Sequence, residues 1–311
     1  MQTSLPQLSG ERLFLTDGGL ETLLIFHKGF ELPHFASFTL LEDEQGRAAL
    51  RDYFAGFLDL AREHDAGFIL DTATWRANPD WAELLGYDAA ALDRVNREAV
   101  AFAEQVRDEH AGSGVPVLVN GVVGPRGDGY VAEALMSAEE AEDYHRAQVR
   151  SFAAAGADMV SAITMTYADE AIGIARPAAQ AGLPVAISFT VETDGRLPSG
   201  QALGEAIAQV DFETDGSVAY YMVNCAHPSH FEHVVEQGGA WVGRIAGLRA
   251  NASKMSHAEL DEAEELDEGD PAELSAGYVA LRSSLRNVNV IGGCCGTDHR
   301  HVAAVADAWT G

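Results

Sequence analysis

The three cysteines of this chain are the residues whose type and spacing most directly predict chemistry. Cys294 and Cys295 are adjacent and follow an apolar, β-branched run that stops at two glycines, within residues 288–297 (VNVIGGCCGT). Cys225 ends a second strand-like run, at residues 220–225 (YYMVNC). Short apolar runs bounded by turn residues are typical of buried strands. All three thiols are therefore expected where strands end, and we predict that they bind one zinc ion.

Three protein thiolates would leave one position of a four-coordinate zinc open, which is the mark of a catalytic rather than a structural site. Zinc with three sulfur ligands is a weak Lewis acid for water, and it suits a substrate thiol as the fourth ligand. Metal binding lowers the pKa of that thiol, and the resulting thiolate can displace a methyl group from an activated donor. The pattern therefore predicts methyl transfer to sulfur.

Two other interpretations of the cysteines stay open. Free cysteines are often small buried hydrophobes, so the three could be core residues. They could also form a redox pair, although adjacent cysteines make strained disulfides and a C-x-x-C spacing is absent. With three cysteines, two of them adjacent, no disulfide framework is expected, and reduced thiols in a reducing compartment fit better.

Eight short apolar runs alternate with helical stretches. Such alternation predicts parallel strands, and eight units in 311 residues predict an α/β fold, a single-domain (β/α)₈ TIM barrel. A doubly wound open sheet is the alternative, but no G-x-G-x-x-G motif follows the first strand. The C-terminal strand ends of a barrel share one face, so Cys225 and Cys294 are expected to meet there although 294 − 225 = 69 residues separate them. Strands are predicted at residues 13–16, 68–74, 116–121, 158–164, 184–190, 220–225, 241–246 and 287–291.

Composition narrows the classes of partner. The chain has 48 acidic and 20 basic residues and a formal net charge of -28, and such a surface repels nucleic acid. No segment is apolar for the length of a membrane span, and the first ten residues lack a signal-peptide core. We therefore expect a cytoplasmic protein with small-molecule partners, a thiol and a methyl donor. The sequence leaves a homo-oligomer open.

Residues 292–297 (GGCCGT), together with Asn224-Cys225 and Pro228, resemble the zinc-dependent homocysteine S-methyltransferase family. Residues 17–19 (DGG) are similar to that family's motif after strand one, and residues 72–77 (TATWRA) are similar to its strand-two motif. The resemblance extends over nearly the whole chain. It implies a homocysteine-binding (β/α)₈ barrel over residues 1–311 that makes methionine.

The resemblance also implies which residues bind the ligands. The cysteines matching the family's zinc ligands are Cys225, Cys294 and Cys295. The methyl donor would be a sulfonium or quaternary ammonium compound, such as S-methylmethionine, S-adenosylmethionine or a betaine. Substrate-binding residues are expected at the strand ends, at Asp17, Gly18, Thr74, Trp75, Asn224 and Gly293.

The chain departs from the family pattern at two places. The family's strand-four glutamate, which binds the homocysteine ammonium group, is matched here by Ile163, and a Tyr-Pro-Asn exit from strand seven is matched by residues 249–251 (RAN). A different thiol acceptor on the same zinc barrel therefore stays open, as does a non-catalytic zinc-stabilised scaffold. Glu21 could supply the missing carboxylate, or it could be an ordinary acid in the first turn of a helix.

The remaining candidates have both functional and structural interpretations. Asp17 could bind an ammonium group or cap a helix, and Asn224 could contact substrate or fix its loop. The ring of Trp75 could pack against a cationic donor or belong to the core. Arg126 could bind a carboxylate or be solvated. Three histidines are expected to neighbour the site or lie on the surface rather than to replace a cysteine ligand: His227, His299 and His301.

Overall fold

Eight parallel strands close into a barrel in which every strand pairs with its sequence neighbours. The structure is a computed structural model that describes residues 5–133 and 135–311. The predicted (β/α)₈ architecture is confirmed, and β1 pairs with β8 to complete the closure. The strands are β1 (Phe14–Leu15), β2 (Gly67–Asp71), β3 (Val117–Val123), β4 (Met159–Met165), β5 (Val185–Phe189), β6 (Tyr220–Asn224), β7 (Ile245–Ala250) and β8 (Val290–Gly293).

Helices follow the strands and cover the outside of the barrel. Two helices begin with a capping box, formed by Ser137 with Glu140 and by Ser256 with Glu259, and the spacing of these residues in the sequence is that of such a box. The α-helices are α1 (Leu20–Thr22), α2 (Glu44–Glu63), α3 (Pro79–Leu84), α4 (Ala89–Glu109), α5 (Ala138–Ala155), α6 (Ala168–Ala181), α7 (Leu203–Glu213), α8 (Pro228–Glu236), α9 (His257–Asp261), α10 (Pro271–Leu281) and α11 (His299–Thr310). Short 3₁₀ segments are Pro6–Leu8, Pro33–Phe35, Ser37–Glu42, Ala111–Ser113 and Ala240–Arg244, and a π-helical turn covers Leu23–His27.

The buried apolar residues form two clusters, as the alternation of side chains along strands requires. One cluster packs strands against helices and contains outward-facing residues such as Leu70 and Leu248. A smaller cluster includes Ile69, Val122 and Ile163 on alternating strand positions, and it fills the barrel interior. Layered interior packing makes the barrel a solid support for its C-terminal face.

The seventh strand lies four residues later than predicted, and this boundary was wrong. Residues 240–244 form a 3₁₀ segment, and the strand itself is Ile245–Ala250. The predicted strand ended at residue 246 and so left out Arg249, whose residue type is not typical of a buried strand. The structure buries that arginine against two carboxylates from other strands, which allows the strand to continue.

In the described ranges, none of the helices combines the length and the apolar character needed to cross a lipid bilayer.

Candidate active site

The three cysteines meet at the C-terminal mouth of the barrel, as predicted. Their sulfur atoms all lie within 4.8 Å of one another, and the sulfurs of Cys225 and Cys295 are 3.8 Å apart. We call Cys225, Cys294 and Cys295 the cysteine cluster. Within the described residues, no histidine or carboxylate ligand atom joins these sulfurs to make a larger group.

The expectation of three reduced thiols is wrong for one pair, because Cys225 and Cys294 form a disulfide. The physical reason is the convergence of the ends of β6 and β8, which places the two Cα atoms 5.4 Å apart, within the usual range for a disulfide. Cys295 is a free thiol. A metal needs thiolate ligands, so the pair must be reduced before all three sulfurs can share an ion.

Strand β7 lies between the two cysteine-bearing strands and fixes both of them. The backbone N–H of Cys225 donates to the carbonyl of Arg249 at 3.1 Å, and that of Cys294 donates to the carbonyl of Ala250 at 2.9 Å. Cys225 itself has a φ of 51°, a left-handed conformation that costs energy for a residue with a side chain. Strand pairing therefore holds this cysteine in a turn that aims it at the cluster.

Asn224, predicted to bind substrate or to fix its loop, is fully buried and ties three strands together. Its Oδ1 accepts from the Ser188 hydroxyl at 2.6 Å and from the Thr164 backbone N–H at 3.0 Å. Its Nδ2 donates to the Thr164 hydroxyl at 2.8 Å and lies 3.7 Å from the sulfur of Cys294. Three of these contacts are structural, and the fourth reaches the cluster.

Sequence reasoning missed Tyr130, which lies over the cysteine cluster. Its hydroxyl donates to the sulfur of Cys295 at 3.5 Å, and its ring stacks on His257 with centroids 4.2 Å apart. His257 in turn bonds the carbonyl of Cys225 at 2.8 Å and the carboxylate of Glu192 at 3.0 Å. The available signals were weak: a tyrosine in a glycine-rich loop, and a histidine directly after a capping serine.

The electrostatics of the free thiol follow from these neighbours. Burial raises the pKa of Cys295, the hydrogen bond from Tyr130 lowers it, and the charge of Glu21 raises it further. Burial also raises the pKa of Tyr130 well above its usual range, so this hydroxyl is a proton donor at neutral pH.

A buried arginine cluster, Arg249 with Asp17 and Asp71, occupies the barrel interior beside the cysteines. Arg249 pairs with Asp17 at 2.5 Å and also with Asp71, while its Nε is 3.4 Å from the carbonyl of Gly293. Burial alone would lower the pKa of Arg249, but the two carboxylates raise it above its usual range. Burial raises the pKa of Asp17 to about 7; the charge of Arg249 lowers this pKa, and the neighbouring charge of Asp71 raises it. The side chain of Asp17 is thus already engaged, and Tyr53 donates to its second oxygen at 3.0 Å.

Gly18 and Gly293 are placed where a larger residue would collide with the turn that carries the cysteines. A Cβ on Gly18 would lie 2.7 Å from the carbonyl oxygen of Thr297, and one on Gly293 would lie 2.0 Å from the Thr297 hydroxyl. The backbone N–H of Gly293 donates to the carbonyl of Asp17 at 2.8 Å. These glycines lock the loop after β1 against the turn after β8.

Thr74 and Trp75 both follow β2, but they differ in their surroundings. Thr74 is fully buried, and its hydroxyl donates to the carbonyl of Val122 at 2.7 Å. Trp75 is half-buried at the mouth, donates to the carbonyl of Ile163 at 3.2 Å, and carries the guanidinium of Arg76 4.1 Å from its ring centroid. One face of the ring is therefore already occupied by a cation of the protein.

The other candidates lie outside the cysteine cluster. His227 caps the N-terminus of α8 and bonds Ser229, His301 pairs with Asp298, and His299 is exposed at the start of α11. Arg126 forms an exposed ion pair with Asp80 at 2.7 Å. None of these side chains contributes a ligand atom to the cluster.

Family comparison agrees with this geometry. Residues 14–309 match the homocysteine S-methyltransferase family, so the chain belongs to that family and is a methyltransferase. The reaction of the family is methyl transfer to homocysteine, and neither a different acceptor nor a non-catalytic scaffold is favoured by the match.

Individual relatives cover nearly the whole chain. Homocysteine S-methyltransferase YbgG of Bacillus subtilis (strain 168) is 24% identical over 320 residues, which are 96% of this chain and 94% of that protein. The homocysteine methyltransferase MmuM of Escherichia coli has the same fold in its oxidized form, with a TM-score of 0.75, 22% identity and coverage of 96% and 97% of the two chains. Its metallated form matches over the same shares with a TM-score of 0.72 and 22% identity.

Proposed function

We propose that this chain moves a methyl group from a sulfonium or quaternary ammonium donor to the sulfur of homocysteine, giving methionine, with one zinc ion bound by the cysteine cluster. The observation that carries the proposal is the geometry of Cys225, Cys294 and Cys295, whose sulfurs lie within 4.8 Å of one another. Three soft ligands without a fourth protein ligand suit zinc with an open position. The metallated form of the related MmuM supports this choice.

Bound zinc would lower the pKa of the acceptor thiol, and the acceptor sulfur would then be held as a nucleophilic thiolate. The protein's own residues orient and enclose that sulfur. Asn224 contacts Cys294 from the β6 side, and Tyr130 donates to Cys295 from the loop after β3. Methyl displacement requires the acceptor sulfur, the methyl carbon and the leaving atom of the donor to lie in line. The contacts of Asn224 and Tyr130 would contribute by fixing the positions of the cysteine sulfurs.

We further propose that the residues at the mouth form the substrate pocket of one domain spanning residues 1–311. The exposed part of Trp75 would line it, while Asp17 and Thr74 would shape it through their fixed contacts. The close loops would supply its backbone wall, at Gly18, Asn224 and Gly293. Because the pair Cys225–Cys294 must be reduced for metal binding, a reducing compartment such as the cytoplasm suits this activity.

The proposal is tested on the reduced, zinc-loaded protein. Methyl transfer is measured with homocysteine as acceptor and with S-methylmethionine, S-adenosylmethionine and a betaine as donors. X-ray absorption at the zinc edge is recorded before and after homocysteine is added. We expect about one zinc per chain, turnover with at least one donor, and one additional sulfur ligand on zinc when homocysteine binds.

Two results would contradict the proposal. One is a zinc site with a fourth protein ligand and no change when homocysteine is added. The other is a full complement of zinc with turnover of other thiols but none of homocysteine.

A further inference from the structure

The acidic side chains around the mouth of the barrel differ in whether they already have a cationic partner. Asp17 and Asp71 share Arg249. Glu192 pairs with His257 at 3.0 Å. These carboxylates are therefore already neutralised, at least in part, by groups of the protein.

Glu21 differs from them because no arginine, lysine or histidine in the described residues lies within ion-pairing distance of it. Its Oε1 accepts a hydrogen bond from the Ser37 hydroxyl at 2.7 Å, and that hydroxyl also lies 3.5 Å from the carbonyl of Ala73, just past the end of β2. The carboxylate is thus held in place by a neutral donor. Burial raises the pKa of Glu21 while the Ser37 hydrogen bond lowers it, so a cation beside it would restore the charged form.

The backbone places Glu21 next to the cysteine cluster. It lies two residues after Gly19, where an added Cβ would lie 2.7 Å from the carbonyl oxygen of Cys294 and 3.2 Å from the Cα of Cys295. Thr22, the next residue after Glu21, accepts from the backbone N–H of Gly296 at 3.3 Å. The first turn of α1 therefore packs directly on the turn that carries two of the three sulfurs.

Homocysteine is a small zwitterion in which a short carbon chain joins the thiol to an ammonium group. When its sulfur is at the cysteine cluster, its ammonium group must lie within a few bonds of that cluster and needs an anionic partner. Strand β4 offers none at the mouth, because its inward residue there is Ile163. Glu21 is half-buried, and no cationic side chain of the described residues forms an ion pair with it, so its carboxylate is free to pair with this ammonium group.

We propose that Glu21 binds the ammonium group of the acceptor and so selects an α-amino thiol. The inference rests on the proposed function, since it assumes that the acceptor sulfur is held at the cysteine cluster. Glu21 is a binding and specificity residue in this proposal, and Ser37 positions its carboxylate.

The test compares two acceptors on three zinc-loaded proteins. The acceptors are homocysteine and its des-amino analogue, gamma-mercaptobutyrate, which has the same thiol and carboxylate but no ammonium group. The proteins are the wild type, Glu21→Gln and Glu205→Gln. Glu205 is an exposed acid in the first turn of α7, so its substitution makes the same charge change away from the site.

We expect Glu21→Gln to raise KM for homocysteine about 10- to 100-fold, the usual effect of losing a hydrogen bond between charged groups. Because the ammonium contact is the same before and during methyl transfer, kcat should stay within about 2-fold. The KM for the des-amino analogue should not change, and Glu205→Gln should behave as wild type. A Glu21→Asp variant, which keeps a carboxylate on a shorter side chain, should recover part of the preference for homocysteine.

Several outcomes would overturn the inference. Equal losses with both acceptors would mean that Glu21 only supports the turn, and a rise confined to the KM of the methyl donor would assign it to the donor's cation. An unchanged KM for homocysteine would contradict the role of Glu21 alone and leave the proposed function intact. Absence of homocysteine turnover by the wild type would contradict both the role of Glu21 and the proposed function. Zinc content and the thermal unfolding temperature of each variant show that folded, loaded proteins are compared.

Discussion

The cysteine cluster and the arginine cluster lie side by side at the end of the barrel, and they use burial in opposite ways. Arg249, Asp17 and Asp71 satisfy one another, and Tyr53 and Asn120 complete their hydrogen bonds. The three sulfurs meet without a fourth ligand from the described residues, and Cys225 and Cys294 are bonded to each other until they are reduced. A buried polar group that is fully paired supports a fold, whereas one that still lacks a partner is available for a ligand. The arginine cluster should therefore determine stability and the cysteine cluster should determine function.

Loss of a sulfur ligand should produce the largest effect on activity. We expect replacement of any one cysteine of the cluster by serine to reduce zinc below about 0.1 per chain. Activity should fall by more than the roughly 10–100-fold that loss of an outer hydrogen-bond partner costs at metal sites. Zinc is measured by mass spectrometry after gel filtration, and folding by circular dichroism. A variant that keeps its zinc would show that the replaced cysteine is not a zinc ligand.

Arg249→Met should instead act on stability. Removal of one partner from a buried ion cluster leaves uncompensated carboxylates, and we expect the free energy of unfolding to fall by about 3–5 kcal/mol. Urea denaturation of the reduced protein measures it. The matched control is Arg97→Met, which breaks an exposed pair with Asp93 and should cost less than about 1 kcal/mol. Equal effects of the two substitutions would show that the arginine cluster is not a stability element.

Tyr130→Phe should have an effect of intermediate size, because Tyr130 contacts the cysteine cluster without being one of its sulfur ligands. The Tyr130 hydroxyl lowers the pKa of Cys295, so its removal raises that pKa. A thiol must lose its proton to bind metal, and zinc uptake should therefore require a higher pH in the variant. We expect zinc affinity at neutral pH to fall about 10-fold, measured by competition with a chelator.

The control for this variant is Tyr144→Phe, because the Tyr144 hydroxyl bonds Asn78 and Asp80 rather than a cysteine. Its zinc uptake should follow the wild-type pH curve. A shift of that curve in both variants would assign the effect to general destabilisation.

Asp298→Asn should have the smallest effect and tests the helix that follows the cysteine turn. Burial would raise the pKa of Asp298, but hydrogen bonds from His301 and Arg300 hold it well below its usual range. A carboxyl group whose pKa is lowered by folding stabilises the protein above its unfolded pKa of about 3.9 and loses that contribution as pH falls. Asparagine keeps the cap on α11 but not the charge, so we expect a cost of about 1 kcal/mol at pH 7.

The difference between wild type and Asp298→Asn should shrink when unfolding is repeated below about pH 4, because Asp298 of the unfolded chain then takes up a proton while the folded carboxylate is still ionised. A difference that is independent of pH would mean that the lost charge is not the cause. Metal content should be the same in both proteins, since Asp298 is not part of the cysteine cluster.

The sequence was informative where the pattern is local. The cysteines follow apolar runs and glycines, and the capping boxes at Ser137 and Ser256 each lie within four residues, so strand ends and helix starts could be predicted. The arginine cluster could not be predicted, because Arg249 is 178 and 232 residues from its two carboxylate partners. The same long-range pairing explains why β7 continues past its predicted end. The Tyr130 contact was also missed because loop residues carry no periodic signal.

The pairing of β1 with β8 has a consequence for the order of events during folding. Residues near both ends of the chain build one wall of the mouth, and the bond between Gly296 and Thr22 spans 274 positions. A nascent chain that has not yet released β8 from the ribosome carries one of its three sulfurs outside the exit tunnel and leaves the edges of β1 and β7 unpaired. Zinc, as proposed, would then bind only after β8 has paired with β1 and β7, and its binding would stabilise the closed barrel by mass action. Metal supply would thus limit the yield of finished enzyme as well as its turnover.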